Sequence, residues 1–380
     1  MERHGWYISQ LRKFAAAGRK ARFYYEIRGR ASLIVGLYLD SGYLDFDWIV
    51  SRKMPFIFVT GGRGTGKTYG AIEYCLRNNK HFMFMRRTAK QTALIKNPQY
   101  SPFTPIERDS GISLKIESLS EDMGAIYKAE VAGDGKKIIS GLPIGNICAL
   151  STVANIRGFD GSDIDILILD EFIKSAQEKS IKDEASAFAN VYETINRNRE
   201  FQGKAPLTAI LLSNSNELAN DYFMTFGFVN KLLEMRKNHK EVAILQTRGA
   251  MLIDLQKSPI SEKKAETALY RLTGKESSIS RMALNNEYCA DDLSMIKSYN
   301  LSGFKPLVNI GEITIYQPKQ NGYFYVSSKQ DFTVAKYEAA GSSKQKFITM
   351  YRGLVTMYYR GNIRFEDYPC KALFEAVFDI

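Results

Sequence analysis

The stretch "FVTGGRGTGKTYG" at residues 58–70 constrains this chain more than any other part of its sequence. It follows the apolar run "MPFIFVT" and precedes the helix-compatible "TYGAIEYCLRNN", so strand, glycine loop and helix occur in the order that a P-loop requires. Its glycines allow successive backbone N–H groups to turn toward a bound anion. The predicted phosphate-binding residues are Gly61, Gly62, Arg63, Gly64, Thr65, Gly66, Lys67, Thr68 and Tyr69.

Two side chains of this loop carry the expected chemistry. Lys67 is placed to reach the β- and γ-phosphates as a point charge, and Thr68 is placed to ligate Mg²⁺. The start of the following helix adds its partial positive charge. ATP and Mg²⁺ are therefore the predicted cofactors, and the alternative is a glycine turn that binds nothing.

A second motif lies about a hundred residues further on, in "DIDILILDEF" at 163–172. An apolar run that ends in Asp170 and Glu171 is typical of a buried parallel strand that delivers acids to the carboxyl edge of a sheet. Asp170 is the expected partner of the Mg²⁺ shell, and Glu171 is expected to orient the water that attacks the γ-phosphate. The pair predicts an ATPase with an additional strand and a catalytic glutamate.

Composition bounds the rest of the chain. A length of 380 residues with 45% hydrophobic content predicts a folded protein of about two domains. The four cysteines lie far apart and the three histidines form no ligand motif, which indicates a reduced cytosolic protein without structural zinc. The chain has no run of about 18 apolar residues, so no membrane span is expected. A net charge of +11 favours a polyanionic partner, although a well-solvated surface would also explain it.

Several further segments have readable patterns. The first ~50 residues mix basic and aromatic side chains at helical spacing, which fits either a surface for nucleic acid or a neighbouring subunit, or a helix packed on the next domain. The alternating segment around "GDGK" at 124–143 predicts a β-hairpin. Buried strands are predicted at "HFMFMRR" (81–87), "NICALS" (146–151) and "LTAILLSNSN" (207–216).

These motifs, in this order, resemble the DNA-packaging ATPases of phi29-like phages, which are small relatives of the terminase large subunits. The resemblance rests on "GGRGTGKTYG", "FMRRT", "ILILDEFI", "NRNRE", "LLSNSN", "LNNEY" and "GNIRFED". It covers most of residues 51–380 and is strongest up to about 230, and "RNRE" followed closely by "LSN" is its most specific part. The resemblance implies a ring motor, in this family a pentamer, that drives double-stranded DNA through the portal of an empty viral shell.

The resemblance also implies roles for individual residues. Arg197 matches an arginine finger that enters the neighbouring subunit's site, with Arg199 as the nearby alternative, and both could instead end a helix and pair with acids. Asn214 matches a residue that senses the γ-phosphate, or it is a strand-end asparagine that satisfies a turn. Arg86 and Arg87 match a pair near the sheet edge whose role is open.

The C-terminal part would match the RNase H-like nuclease domain of larger terminases, which needs clustered carboxylates for two metal ions. Its first candidate strand instead continues into Gln317 and Pro318. Nuclease activity is therefore disfavoured, although four carboxylates remain nearby: Glu312, Asp331, Glu366 and Asp367. In this family the degenerate domain serves as a docking platform, in some members for a structural RNA, and the basic and aromatic residues of "SSKQKF" and "MYYRGNIR" fit such a surface or an ordinary core with solvated cations.

The sequence thus predicts an α/β P-loop ATPase domain followed by a small α+β RNase H-like domain. The expected boundaries are 1–50 for a basic helical segment, 51–235 for the ATPase domain, 236–290 for a linker and 291–380 for the C-terminal domain. The expected function is ATP-driven translocation of double-stranded DNA into a procapsid, at the portal vertex in the host cytoplasm. A terminase with an active nuclease and a nucleotide-dependent scaffold protein are the alternatives.

Overall fold

The structure is a computed structural model, and it divides into two compact units that are described separately. The larger unit comprises Met1–Asn216 and Met235–Glu287, and the smaller comprises Glu217–Glu234 and Tyr288–Ile380. The described residues are 36–120, 122–152, 159–174, 178, 181, 183–215, 217–256, 258–273, 294–320 and 322–380. None of the helices in these ranges is both long and apolar enough to cross a membrane.

The larger unit is built around a nine-stranded sheet with the strand order β3-β4-β5-β2-β6-β7-β1-β9-β8. The strands are β1 Phe56–Gly61, β2 Phe82–Arg86, β3 Ser113–Ser118, β4 Met123–Val131, β5 Lys137–Ala149, β6 Ile166–Asp170, β7 Thr208–Ser213, β8 Val242–Leu245 and β9 Ala250–Leu255. Six neighbouring strands, from β5 across to β9, pair in parallel. The strands at the two ends, β3, β4 and β8, pair in antiparallel fashion. All six parallel strands therefore end at the same edge of the sheet.

One helix of the larger unit precedes the sheet, and the others lie between or after its strands in the sequence. They are α1 Phe46–Ser51, α2 Lys67–Arg77, α3 Ala89–Ile95, α4 Phe103–Ser110 and α5 Glu184–Asn196, and then α8 Pro259–Ala265 and α9 Ala268–Thr273. Strand β6 is buried along its whole length, and β1, β2 and β7 each have a single partly exposed residue, at one end. Central parallel strands lose water from both faces, which explains their uninterrupted apolar runs.

The strands predicted around the P-loop and the acid pair are confirmed. The predicted hairpin is confirmed as β4 and β5, and the predicted strand at 146–151 is the buried second half of β5, which pairs in parallel with β2. The basic segment at the start of the chain lies outside the described residues up to position 35. Its described remainder packs on the larger unit, because Leu44, Phe46 and Ile49 belong to that unit's hydrophobic core.

Residues 242–255 differ from the expected linker. They form β8 and β9, and β9 pairs along its whole length with β1, the strand that leads into the P-loop. All six residues of β9 are buried, including Asp254, which receives hydrogen bonds from Arg236 and Thr60. The nine-stranded sheet of the larger unit therefore extends to Leu255.

The smaller unit contains a five-stranded sheet with the order β13-β10-β11-β12-β14. Its strands are β10 Phe304–Ile310, β11 Ile313–Pro318, β12 Phe324–Ser327, β13 Lys336–Tyr337 and β14 Ile363–Phe365. Its helices are α6 Asp221–Thr225, α10 Gly341–Tyr351, α11 Gly353–Tyr359 and α12 Tyr368–Phe378, and α7 Val229–Lys237 begins in this unit and ends in the larger one. Phe347, Phe365 and Phe374 are fully buried in its core. The structure shows a mixed α/β architecture in both units.

The position of β9 generates a stability prediction. Ile253 lies in β9 and is 1% exposed, whereas Ile244 lies in the edge strand β8 and is 39% exposed. Ile253→Ala leaves a cavity next to the P-loop strand and should lower the free energy of unfolding by ~3 kcal/mol, whereas Ile244→Ala should cost less than ~1 kcal/mol. Chemical unfolding of both full-length variants, followed by circular dichroism, measures the difference. Equal and small losses would mean that residues 250–255 are dispensable for this unit, as a linker would be.

Candidate functional site

The P-loop connects β1 to α2, as its sequence predicts. Strand β1 ends at Gly61 and helix α2 begins at Lys67, with Gly66 at its N-cap in the left-handed region at φ 88°. Gly61 also has a positive φ, of 154°, and a Cβ there would lie 2.6 Å from the Cβ of Leu255. Only glycine satisfies both demands at this position. The loop therefore depends on close packing against the end of β9.

Lys67 is folded over the loop and is 5% exposed. Its ammonium donates to the carbonyl oxygens of Gly61 at 2.7 Å and Gly62 at 2.8 Å, and it lies 3.2 Å from the Thr65 hydroxyl. Burial lowers the pKa of Lys67 to about 7, against the opposing attraction of Asp170. A desolvated ammonium that is held by neutral carbonyl and hydroxyl groups gains strongly from contact with phosphate oxygens.

Thr68 and Asp170 meet directly, although 102 positions separate them. The Thr68 hydroxyl lies 3.0 Å and 3.1 Å from the two carboxylate oxygens of Asp170. Burial raises the pKa of Asp170, and the nearby Arg86 opposes that rise. The hydroxyl and the carboxylate form a compact set of hard oxygen donors at the end of the P-loop, which is the donor chemistry that Mg²⁺ prefers.

Glu171 and Asn214 come together at the ends of neighbouring strands. The Asn214 side-chain amide donates to Glu171 Oε1 at 3.4 Å. Glu171 has a positive φ of 59°, and its side chain is 37% exposed, in contrast to the buried Asp170. A non-glycine residue in the left-handed region is uncommon and is often found at functional sites. This backbone turn lets two consecutive acids differ in exposure.

Arg86 joins the two acids. It follows the buried part of β2, and its guanidinium lies 3.0 Å from Asp170 Oδ2 and 3.0 Å from Glu171 Oε2. The sequence indicated only that an arginine pair lies near the sheet edge. The parallel pairing of β2 with β6 explains the contact, because it places the end of β2 beside the end of β6.

Arg87 has a different environment and is fully buried. Its Nε lies 2.6 Å from Glu184 Oε1, its NH2 lies 3.0 Å from Glu184 Oε2, and its NH1 lies 2.7 Å from Glu178 Oε2. Sequence reasoning did not find these partners. The available signal was an arginine directly after a buried strand, which requires an acidic partner but does not say which one.

Lys264 is a second cation at the P-loop that the sequence did not reveal. It lies on α8 and donates to the carbonyl oxygen of Arg63. A Cβ at Gly64 would approach the Lys264 ammonium closely, which shows how near this side chain lies to the loop. Burial lowers the pKa of Lys264.

Three further residues of the predicted loop, Arg63, Thr65 and Tyr69, differ in their surroundings. Arg63 is exposed, and Thr65 is buried with its hydroxyl donating to Gly62 O at 3.2 Å. The Tyr69 hydroxyl lies 3.3 Å from Asp109 Oδ2.

The two arginines of "RNRE" differ clearly. Arg199 donates to the carbonyl oxygens of three residues in the loop before β6, namely Gly161, Ser162 and Ile164, so it stabilises that loop. Arg197 follows the last residue of α5, has a positive φ of 45°, and has a side chain that is 48% exposed. It donates to Phe159 O at 2.7 Å on the surface of the unit. Arg197 also donates to Thr194 O at 3.2 Å and lies 4.0 Å from Asp160 Oδ1, so both arginines have partners in their own subunit, and Arg197 is the more exposed of the two.

The carboxylates of the smaller unit have local structural partners. Glu366 accepts hydrogen bonds from Ser327 and Ser328, and despite its partial burial these bonds hold its pKa below the usual value. Asp331 accepts from Thr333, and Asp367 caps α12 by accepting from the Cys370 amide. Within the described ranges, no group of three or more His, Cys, Asp or Glu side chains could hold a metal ion.

The larger unit, in contrast, fits a magnesium nucleotide. Positive φ values at glycines in the P-loop expose backbone N–H groups, and Lys67 supplies the adjacent positive charge. The Thr68 and Asp170 pair supplies oxygen donors of the correct type. The residues that would hold the nucleotide and the metal therefore lie in one place.

Comparison with known proteins agrees with this geometry. No curated protein matches the sequence. Two solved structures share the fold: the Phi-28 gp11 DNA packaging motor, at 16% identity and a TM-score of 0.58, and the bacteriophage Phi-29 viral genome packaging motor assembly, at 19% identity and a TM-score of 0.57. Each likeness covers 88% of this chain, with 97% of the first protein and 99% of the second. The family model described as podovirus DNA encapsidation protein (Gp16) matches residues 40–379, and the chain therefore belongs to this family.

Proposed function

We propose that this chain is the ATP-hydrolysing subunit of a ring motor that drives double-stranded DNA into a viral procapsid. The observation that carries the proposal is the meeting of Lys67, the Thr68 and Asp170 pair, and Glu171 at one edge of the sheet, in a member of a DNA encapsidation family. Lys67 and the P-loop amides bind the triphosphate, and Thr68 and Asp170 hold Mg²⁺. The metal, when bound, neutralises charge that develops between the β- and γ-phosphates.

Glu171 is the proposed base that orients and polarises the attacking water. Its exposure and its positive φ turn it away from the buried Asp170 and toward solvent. Asn214 donates to it from the next strand and fixes the position of one carboxylate oxygen. This contact also gives Asn214 a means to link the state of the γ-phosphate to the position of β7.

Arg197 is the proposed finger that acts in the neighbouring subunit. An arginine that acts on a neighbouring subunit's phosphoryl group must be accessible at the surface, and Arg197 is half exposed directly after α5. Arg199 is less exposed and donates to three carbonyl oxygens of one loop, which supports Arg197 over Arg199. The proposed assembly is a homo-oligomeric ring, and a pentamer follows from the family resemblance.

The proposed partners and location of the chain rest on its family and on its net positive charge. The net charge of +11 supports contact with DNA phosphates independently of base sequence. The ring is proposed to act at the portal vertex of the procapsid in the host cytoplasm, and a structural RNA is a proposed docking partner of the smaller unit. We propose that this unit is RNase H-like and does not cut DNA, and the local hydrogen bonds of Asp331, Glu366 and Asp367 support the second point.

The roles of Lys67 and Glu171 are separable by mutation. Glu171→Gln should reduce kcat at least ~10²-fold and leave the affinity for ATP within about twofold, because it alters the group that acts on water. Lys67→Ala should weaken ATP binding at least ~10-fold, because it removes a charged hydrogen bond to phosphate. Equilibrium binding of a fluorescent ATP analogue and steady-state turnover measure both effects. The control is Glu193→Gln on the exposed face of α5, which should change neither. Equal loss of binding in both site variants would contradict these roles.

Trans action of Arg197 is testable by mixing subunits. Arg197→Ala and Glu171→Gln should each be inactive alone, with turnover reduced roughly 10³-fold or more for the finger variant. A mixture should recover activity, because some interfaces pair an intact Glu171 site with an intact neighbouring Arg197. Arg199→Ala serves as the contrast, since the loss of contacts to three carbonyl oxygens should lower thermal stability more than Arg197→Ala does. Full turnover by assembled Arg197→Ala, or no recovery in mixed rings, would show that the finger lies elsewhere.

A further inference from the structure

Two consecutive arginines at the end of β2 contact two different parts of the proposed machinery. Arg86 bridges Asp170 and Glu171, the two acids of its own subunit's site. Arg87 is bound to Glu184, the first residue of α5. Adjacent residues of an extended chain direct their side chains to opposite sides, so one short backbone segment holds both contacts.

The contact between Arg87 and Glu184 is a strong and directional one. Both nitrogen–oxygen distances, 2.6 Å and 3.0 Å, belong to a bidentate pair. Arg87 is fully buried and Glu184 is 5% exposed, so neither charge is well solvated if the pair separates. A displacement of Arg87 therefore moves Glu184 with it.

Helix α5 carries this displacement to Arg197. It runs without interruption from Glu184 to Asn196, and Arg197 follows immediately. A helix of this length, about 20 Å, moves as a rigid element. Residues with positive φ flank it on both sides, Asp183 at 50° and Arg197 at 45°, so the chain turns sharply at each end.

We infer that the Arg87 and Glu184 pair couples a subunit's own nucleotide site to the position of the Arg197 finger that it offers to its neighbour. In a subunit that holds the magnesium nucleotide, Asp170 and Glu171 would turn away from Arg86, which would then lose both of these partners. The β2 end then shifts, Arg87 shifts with it, and α5 moves the finger. Arg87 and Glu184 are positioning residues in this scheme, which rests on the proposed trans action of Arg197.

The experiment uses the full chain in assembled rings and the variant Glu184→Gln, which keeps the shape of the side chain but removes its charge. Alone, this variant should show a kcat that is reduced roughly tenfold or more. A displaced Arg197 loses part of the transition-state stabilisation that is lost completely when the arginine is removed. Binding of a fluorescent ATP analogue should stay within about twofold of the unmodified protein, since Lys67 and Asp170 are unchanged. Glu193→Gln, the same change on the exposed face of the same helix, should alter neither quantity.

Mixed rings separate this coupling from a general loss of structure. Glu184→Gln mixed with Glu171→Gln should recover activity, because Glu171→Gln subunits offer intact fingers to intact Glu184→Gln sites. Glu184→Gln mixed with Arg197→Ala should not recover, because neither subunit offers a correctly placed finger. If Glu184→Gln does not fold, Arg87→Lys takes its place in the same mixtures, since lysine cannot form the bidentate pair.

The control mixture, Arg197→Ala with Glu171→Gln, tests the trans finger alone. Its failure to recover would overturn the trans assignment and this coupling with it. Recovery in the control together with equal behaviour of the two Glu184→Gln mixtures would overturn the coupling and leave the trans finger intact. An unchanged kcat in Glu184→Gln alone would also overturn the coupling and leave the trans finger intact.

Discussion

The parallel pairing of six neighbouring strands is the constraint on which the rest of the site depends. Strands β1, β2, β6 and β7 all end at the same edge of the sheet. The P-loop, the arginine pair, the acid pair and Asn214 follow these strand ends in turn. Residues that lie far apart in sequence, such as Thr68 and Asp170 at a separation of 102 positions, therefore meet within hydrogen-bonding distance. The buried apolar strands supply the stability, and the polar residues directly after them supply the chemistry.

Charge at this edge is balanced by specific pairs. Asp170 is buried beside Thr68 and Arg86, and the ammonium of Lys67 is held by loop carbonyls, so each charge has partners within about 3 Å. Arg87 is the most buried cation of the larger unit's described residues and is held by two carboxylates. Such pairs contribute little net stability when complete but cost several kcal/mol when one member is removed. The fully buried Arg87 pair therefore favours concerted movement of Arg87 with Glu184 over their separation.

The sequence was sufficient to predict the P-loop, the acid pair and the strands that carry them, because each has a local pattern of fixed spacing. It was insufficient for β9, where a buried Asp254 interrupts an apolar run and hides the strand. The partner that makes this aspartate tolerable, Arg236, lies 18 positions earlier and has no local signature. The same reason applies to Arg87 and Glu184, which are 97 positions apart, and to Lys264 at the P-loop. Partners of buried charges are fixed by the fold, so a single sequence shows that a partner is needed and not where it lies.

In the proposed function, ATP hydrolysis at this edge of the sheet drives DNA into a viral shell. The most direct test adds the purified chain, ATP and double-stranded DNA to portal-bearing empty shells and measures the DNA that becomes protected from added nuclease. The account predicts protected DNA with the unmodified chain and none with Glu171→Gln, even where that variant binds ATP and assembles on the shells. Equal protection with Glu171→Gln, or protection without ATP, would contradict the account.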